Sequence, residues 1–101
     1  MASGRLAKAA LQMLSNVRFA TTHANRSIHR AAQGGNMVRM VYKPAYDDRP
    51  RTYLVEPYSY RGDKFYAFHP KHGQIHSFTK SRIISAEPMK KEFEPQWEVE
   101  L

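Results

Sequence analysis

Cysteine is absent from the sequence, which excludes disulfides and thiolate metal sites and suits a reducing compartment. No run of about 18 apolar residues occurs, so no helical membrane span is expected. A Gly-rich phosphate loop and a dinucleotide fingerprint are both missing, and no nucleophile and base are arranged for acyl or phosphoryl transfer. Neither an enzyme nor a cofactor is therefore expected. Acidic residues are missing from the first 46 positions, where Arg5, Lys8, Arg18, Arg26, Arg30, Arg39 and Lys43 stand alone. The formal net charge of +7 belongs wholly to that part of the chain, and the remainder is balanced. One-sided basic charge favours a polyanionic partner, most simply nucleic acid. The plainer alternative is a solvated basic face that serves solubility.

What is present is enough for one domain with a modest core, at 101 residues. Its organising stretch is Thr52 to Ile84. Three runs there, Thr52–Tyr58, Lys64–His69 and Gln74–Thr79, are rich in aromatic and β-branched residues and read as strands. Arg61-Gly62-Asp63 separates the first two, and Pro70-Lys71-His72-Gly73 the second and third. Glycine supplies the backbone angles that tight hairpins need, so the stretch reads as a three-stranded meander.

Upstream, Leu6, Ala9, Ala10, Met13, Leu14 and Val17 fall on one helical face, so residues 4–18 read as a basic amphipathic helix, linked to the domain near residue 21. That face fits docking onto the domain, pairing with a second subunit or partner protein, or a mitochondrial transit segment. A second helix is expected over 22–35. Ala24, Ile28, Ala31 and Ala32 form its small apolar face, Arg26 and Arg30 a positive ridge, and Gly34-Gly35 its stop. Asn36–Lys43 alternates as a strand, and Pro44–Pro50 is a loop. Downstream, RIISAE reads as a strand closed by Pro88. The tail FEPQWEVEL reads as an amphipathic edge strand, with Trp97, Val99 and Leu101 alternating with Glu98 and Glu100. The fold class is α+β, mainly β: a small barrel of five to six antiparallel strands over residues 36–101, preceded by one or two helices.

A helix carrying IHRAAQGG, the strand VRMVYK, then YLVEP, KFYAF, a Gly turn, IHSFTKSRI and FEPQW resemble, in order and spacing, the WYL domain. The resemblance covers residues 27–101. It implies an SH3/Sm-like barrel that senses a ligand and binds nucleic acid or nucleotides through a basic-aromatic surface. Such domains usually follow a DNA-binding helix-turn-helix in bacterial regulators. Here the resemblance implies a free-standing module in the cytoplasm, bacterial or phage-encoded, used in transcription regulation or as an accessory. The name triplet falls on Phe65-Tyr66-Ala67, of which the Tyr is kept. Tyr42 matches the Tyr that ends the first strand, Arg51 lies nearest the family's Arg before Pro57, and His76 replaces an Arg in the segment that ends Arg82-Ile83.

The expected ligand residues are Arg51, Tyr66, His76, Lys80 and Arg82. Tyr66 would stack on a base while the cations neutralise phosphate, all on one barrel face. Phe65, Phe68 and Phe78 are assigned to the core. His69, His72 and His76 are not read as a metal site. His69 and His76 lie on opposite sides of a turn, and neither cysteine nor a neighbouring carboxylate completes a tetrahedral set. Asp47-Asp48 beside Arg49 and Arg51 reads as a surface ion pair. The competing reading is a protein-interaction or structural module that dimerises or docks a partner through residues 4–18.

Overall fold

The computed structural model describes residues 23–101. The expected helix over 4–18 and its linker lie outside that range. The first described element, α1 (residues 23–33), ends where Gly34 and Gly35 turn the chain. The Gly34 N–H donates to the Arg30 carbonyl and the Gly35 N–H to that of Ala32. Gly35 takes φ +71°, the left-handed angle that a helix C-terminus calls for. Ala24, Ile28, Ala31 and Ala32 are buried, and Arg26 and Arg30 are exposed, so the apolar face and the basic ridge both stand where periodicity put them.

Five antiparallel strands follow: β1 (Asn36–Tyr42), β2 (Arg51–Arg61), β3 (Lys64–His69), β4 (Gln74–Thr79) and β5 (Ile83–Glu92), with a 3₁₀ turn at Lys80–Arg82 before β5. They form one sheet in the order β4-β3-β2-β1-β5. β2 serves both halves. Its residues 51–55 pair with β1, and residues 56–61 pair with β3. Between them the run Val55–Ser59 is buried throughout, and the register to β3 shifts between Pro57 and Ser59. A bulge at this point bends the strand from one half-sheet into the other.

The curl brings the ends of β1 and β4 together. The Thr79 N–H donates to the Tyr42 hydroxyl at 2.9 Å, and the Lys43 N–H donates to the Arg82 carbonyl at 3.1 Å. The result is a small barrel-like α+β fold, mainly β, that is open between β4 and β5. One core fills it: Val38, Met40 and Tyr42 from β1, Val55 from β2, Phe65 and Ala67 from β3, Phe78 from β4, and Ile83 and Ala86 from β5, capped by Ala24, Ile28 and Ala31 of α1. Phe65 and Phe78 are core residues, as expected, while Phe68 is half-buried against Trp97.

Two expectations are corrected. β5 runs through Pro88 to Glu92 instead of stopping there. It is an outer strand, where a proline needs no ladder donor, and its register to β1 shifts just beyond the Val38–Pro88 pair. The tail, residues 93–101, is not a strand. It makes isolated backbone hydrogen bonds instead of a ladder. Among the acceptors is the carbonyl of Tyr58, the residue that the bulge skips, which accepts the Glu100 N–H at 2.8 Å. Trp97 packs edge-on to Tyr58 at 5.4 Å, and the tail straps the sheet instead of extending it.

Candidate ligand cavity

Arg51 opens β2, and the loop before it folds back onto it. Its Nη2 and Nε donate to Asp47 Oδ2 at 2.8 and 3.2 Å, and the guanidinium lies 5.8 Å from the centre of the Tyr46 ring. The Arg49 N–H also donates to Asp47, at 3.0 Å. This bond first, then Arg51, holds the Asp47 carboxyl below the usual carboxylate range. The expected ion pair is therefore present, and it anchors a cavity wall.

Across from Arg51 stands the β3–β4 hairpin. His69 pairs with Gln74 and Ala67 with His76, so His69 and His76 share a sheet face as diagonal neighbours. His72 joins them from the turn. The ring centres of His69 and His72 are 4.5 Å apart, and those of His69 and His76 5.4 Å. The turn does not keep His69 and His76 apart, as the sequence reading assumed, because a hairpin returns the chain alongside itself. Burial above all, then His72, His76 and Lys71, lowers the His69 pKa. Tyr53 packs edge-on to His69 at 5.5 Å and to Phe78 at 5.2 Å, tying the site to the core.

Together Tyr46, Arg51, Thr52, Tyr53, His69, Lys71, His72 and His76 line a cavity of about 280 Å³. Thr52, His69 and Lys71 also border an adjoining concavity of about 370 Å³ that carries Arg39 and Lys91. These three residues thus border both concavities, and Arg39 is paired with Glu87 at 3.3 Å.

Of the five expected site residues, the structure unites Arg51 and His76. The single face is corrected for the others. Tyr66 pairs with Ser77, one residue out of phase with His76, so it points to the opposite side of the sheet. There it borders a concavity of about 400 Å³ with Tyr58, Arg61, Ile75, Trp97, Glu98 and Glu100. Its two carboxylates make that wall a poor host for phosphate. Tyr58 sits at its base, its hydroxyl donating to Glu56 at 2.8 Å and accepting the Gln96 N–H at 3.0 Å. Burial first, and then Glu56, against the effect of the Gln96 N–H, pushes its pKa up to about 12.

Lys80 lies 4.7 Å over the Tyr60 ring, while the Tyr60 hydroxyl donates to Asn25 Oδ1 at 3.0 Å and its ring meets His29 at 5.1 Å. Lys80 is thus tied through Tyr60 to α1 and does not line the cavity. Arg82 is exposed, its carbonyl taken by Lys43. Tyr46, Tyr53, Lys71, His69 and His72 are the cavity residues that sequence reasoning missed. Strand alternation would have placed His69 with His76. Tyr46 and Tyr53 needed the fold of the 44–50 loop and the β1–β2 register.

No curated protein matches the chain. Among solved structures, proteasome accessory factor B/C (PafBC) of Arthrobacter aurescens is similar over 71% of this chain, with a TM-score of 0.64 and 24% identity, which is a likeness of fold. The match spans 12% of that chain. The family model of the WYL domain matches residues 23–88. With a barrel of the expected topology and most of its length matched, the chain belongs to the WYL domain family.

Proposed function

We propose that this WYL domain is a regulatory module that binds a nucleotide or single-stranded nucleic acid in the groove between Tyr46, Arg51 and the β3–β4 hairpin. The observation that carries the reading is the cavity itself. A guanidinium, an ammonium and three imidazoles converge with two tyrosine rings, no carboxylate lines the cavity, and Asp47 beside it is already paired to Arg51. Cations neutralise phosphate and rings stack on bases without regard to sequence. An adjoining concavity shares Thr52, His69 and Lys71 with the cavity and also carries Lys91. Lys80, Arg82 and the exposed Arg26 and Arg30 of α1 lie outside the cavity lining and would touch only a longer polymer. The module works by binding, and its groove holds no group that the reading needs for catalysis.

The test is an anisotropy titration of a labelled mononucleotide and of labelled single-stranded DNA and RNA at two salt concentrations. Binding should weaken steeply with salt, because each neutralised phosphate releases counterions. Arg51→Ala and His76→Ala should weaken both ligands, whereas Lys80→Ala and Arg82→Ala should weaken only the oligonucleotides. Absence of binding at low salt, or indifference to Arg51→Ala, overturns the reading.

A further inference from the structure

We propose that His69, His72 and His76 form a site for one divalent transition-metal ion of the zinc type, with a coordination position open toward Arg51. One imidazole nitrogen from each of the three lies within 4.8 Å of the others. Zinc–nitrogen bonds of about 2.0–2.1 Å set tetrahedral ligands roughly 3.3 Å apart, so side-chain rotations that close the gap by about 1.5 Å complete the triad. The backbone already holds the three positions. The ladder fixes His69 and His76, and the turn fixes His72. The His72 N–H donates to the His69 carbonyl at 3.1 Å, and that of Gly73 to the same oxygen at 2.8 Å.

A second observation points the same way. His69 is 7% exposed, and its Nδ1 has no hydrogen-bond partner. A buried polar atom left without a partner is rare and costly. An ion drawing the histidines together gives this face of the barrel a ligand for its unpartnered group.

The donor set chooses the ion. Three imidazoles without a carboxylate suit zinc, copper or nickel and reject magnesium and calcium. Three protein ligands leave a fourth position, as in zinc sites that bind an exchangeable group. The cavity continues from the histidines to Arg51 and Lys71, and these positive charges select an oxyanion for that position. The site shares its three imidazoles with the nucleotide cavity, but its test needs no nucleotide.

The experiment is a titration of the full chain with zinc, competed by a chromophoric chelator, and with cobalt(II), followed by its visible absorption. Neither contains a nucleotide, so the two readings fail or succeed separately. One ion per chain is expected, with cobalt bands of low-coordinate geometry. His72→Ala and His76→Gln, at exposed and half-buried positions, should keep the wild-type circular dichroism and weaken binding by at least about tenfold. His29→Ala should leave binding unchanged. Failure of the folded chain to take up an ion stoichiometrically, or wild-type affinity in both hairpin variants, overturns the proposal.

Discussion

The Tyr42 hydroxyl reaches across the barrel and accepts the backbone N–H of Thr79 at 2.9 Å. The bond joins the end of β1 to the end of β4, two strands with no ladder between them. The Tyr42 ring also meets Phe78 edge-on at 5.0 Å, so the same residue seals the core behind the bond. Tyr42→Phe keeps the ring and strands the amide. It should cost about 1 kcal/mol in urea unfolding, the loss expected when a half-buried donor loses its acceptor. Ligand binding at the hairpin should be unchanged.

Arg51 is held by Asp47 and is therefore partly spent before any phosphate arrives. Arg51 is exposed and Asp47 half-buried, so the pair itself adds little to stability. Its consequence lies in recognition. Asp47→Ala should free the guanidinium from its carboxylate partner. Affinity for a phosphate-bearing ligand should rise by about two- to fivefold, with no measurable change in thermal midpoint. Arg51→Ala should move affinity the other way, and the two substitutions combined should match Arg51→Ala alone.

The tail is held by side chains, since only single backbone bonds tie it down. Trp97 packs on Tyr58 and Phe68, the Gln96 N–H donates to the Tyr58 hydroxyl, and Arg61 pairs with Glu100 at 3.1 Å. Trp97 is the sole tryptophan, so its fluorescence reports the strap directly. Tyr58→Phe should release the Gln96 N–H and leave Glu56 short of a donor. A red-shifted emission maximum and a stability loss of about 1–2 kcal/mol are expected. Raising the salt should have a smaller effect, because the Arg61–Glu100 pair is exposed and screened.

Much of this architecture was legible in the residues, and the gaps have physical causes. β3 and β4 fall on Lys64–His69 and Gln74–Thr79 as expected, because alternation and glycine turns act locally. Gly73 at φ +66° is such a turn, and a Cβ there meets no atom within 4 Å. Gly73→Ala should therefore cost only the conformational penalty, about 1–2 kcal/mol. The tail misled because its alternation is real, yet an alternating segment becomes a strand only where its backbone meets a free edge along its length, and here it touches the sheet at single bonds. The site was half legible for a related reason. Arg51 and His76 were found by residue type, but Tyr66 differs from His76 by one step of pairing register, and one step exchanges sheet faces. Tyr46 could not be placed from sequence, since the loop that carries it has no periodicity.

His69 makes stability depend on pH in a stated direction. Burial, followed by the neighbouring His72, His76 and Lys71, lowers its pKa in the folded chain. In the unfolded chain an imidazole titrates near about 6.5. Above that value both states are neutral at this position, and the residue contributes no pH dependence. Below it the unfolded chain takes up a proton that the folded chain resists, so stability falls as the pH drops and goes on falling until the folded value is passed. Urea unfolding measured from pH 8 to pH 5.5, with a chelator present to keep metal away, should show this decline. His69→Gln, which has no proton to gain, should flatten its part of the slope. A slope in that variant equal to the wild type would assign the decline to other groups. His72 and His76, which face the same cavity with Arg51 and Lys71, would then be the first to replace.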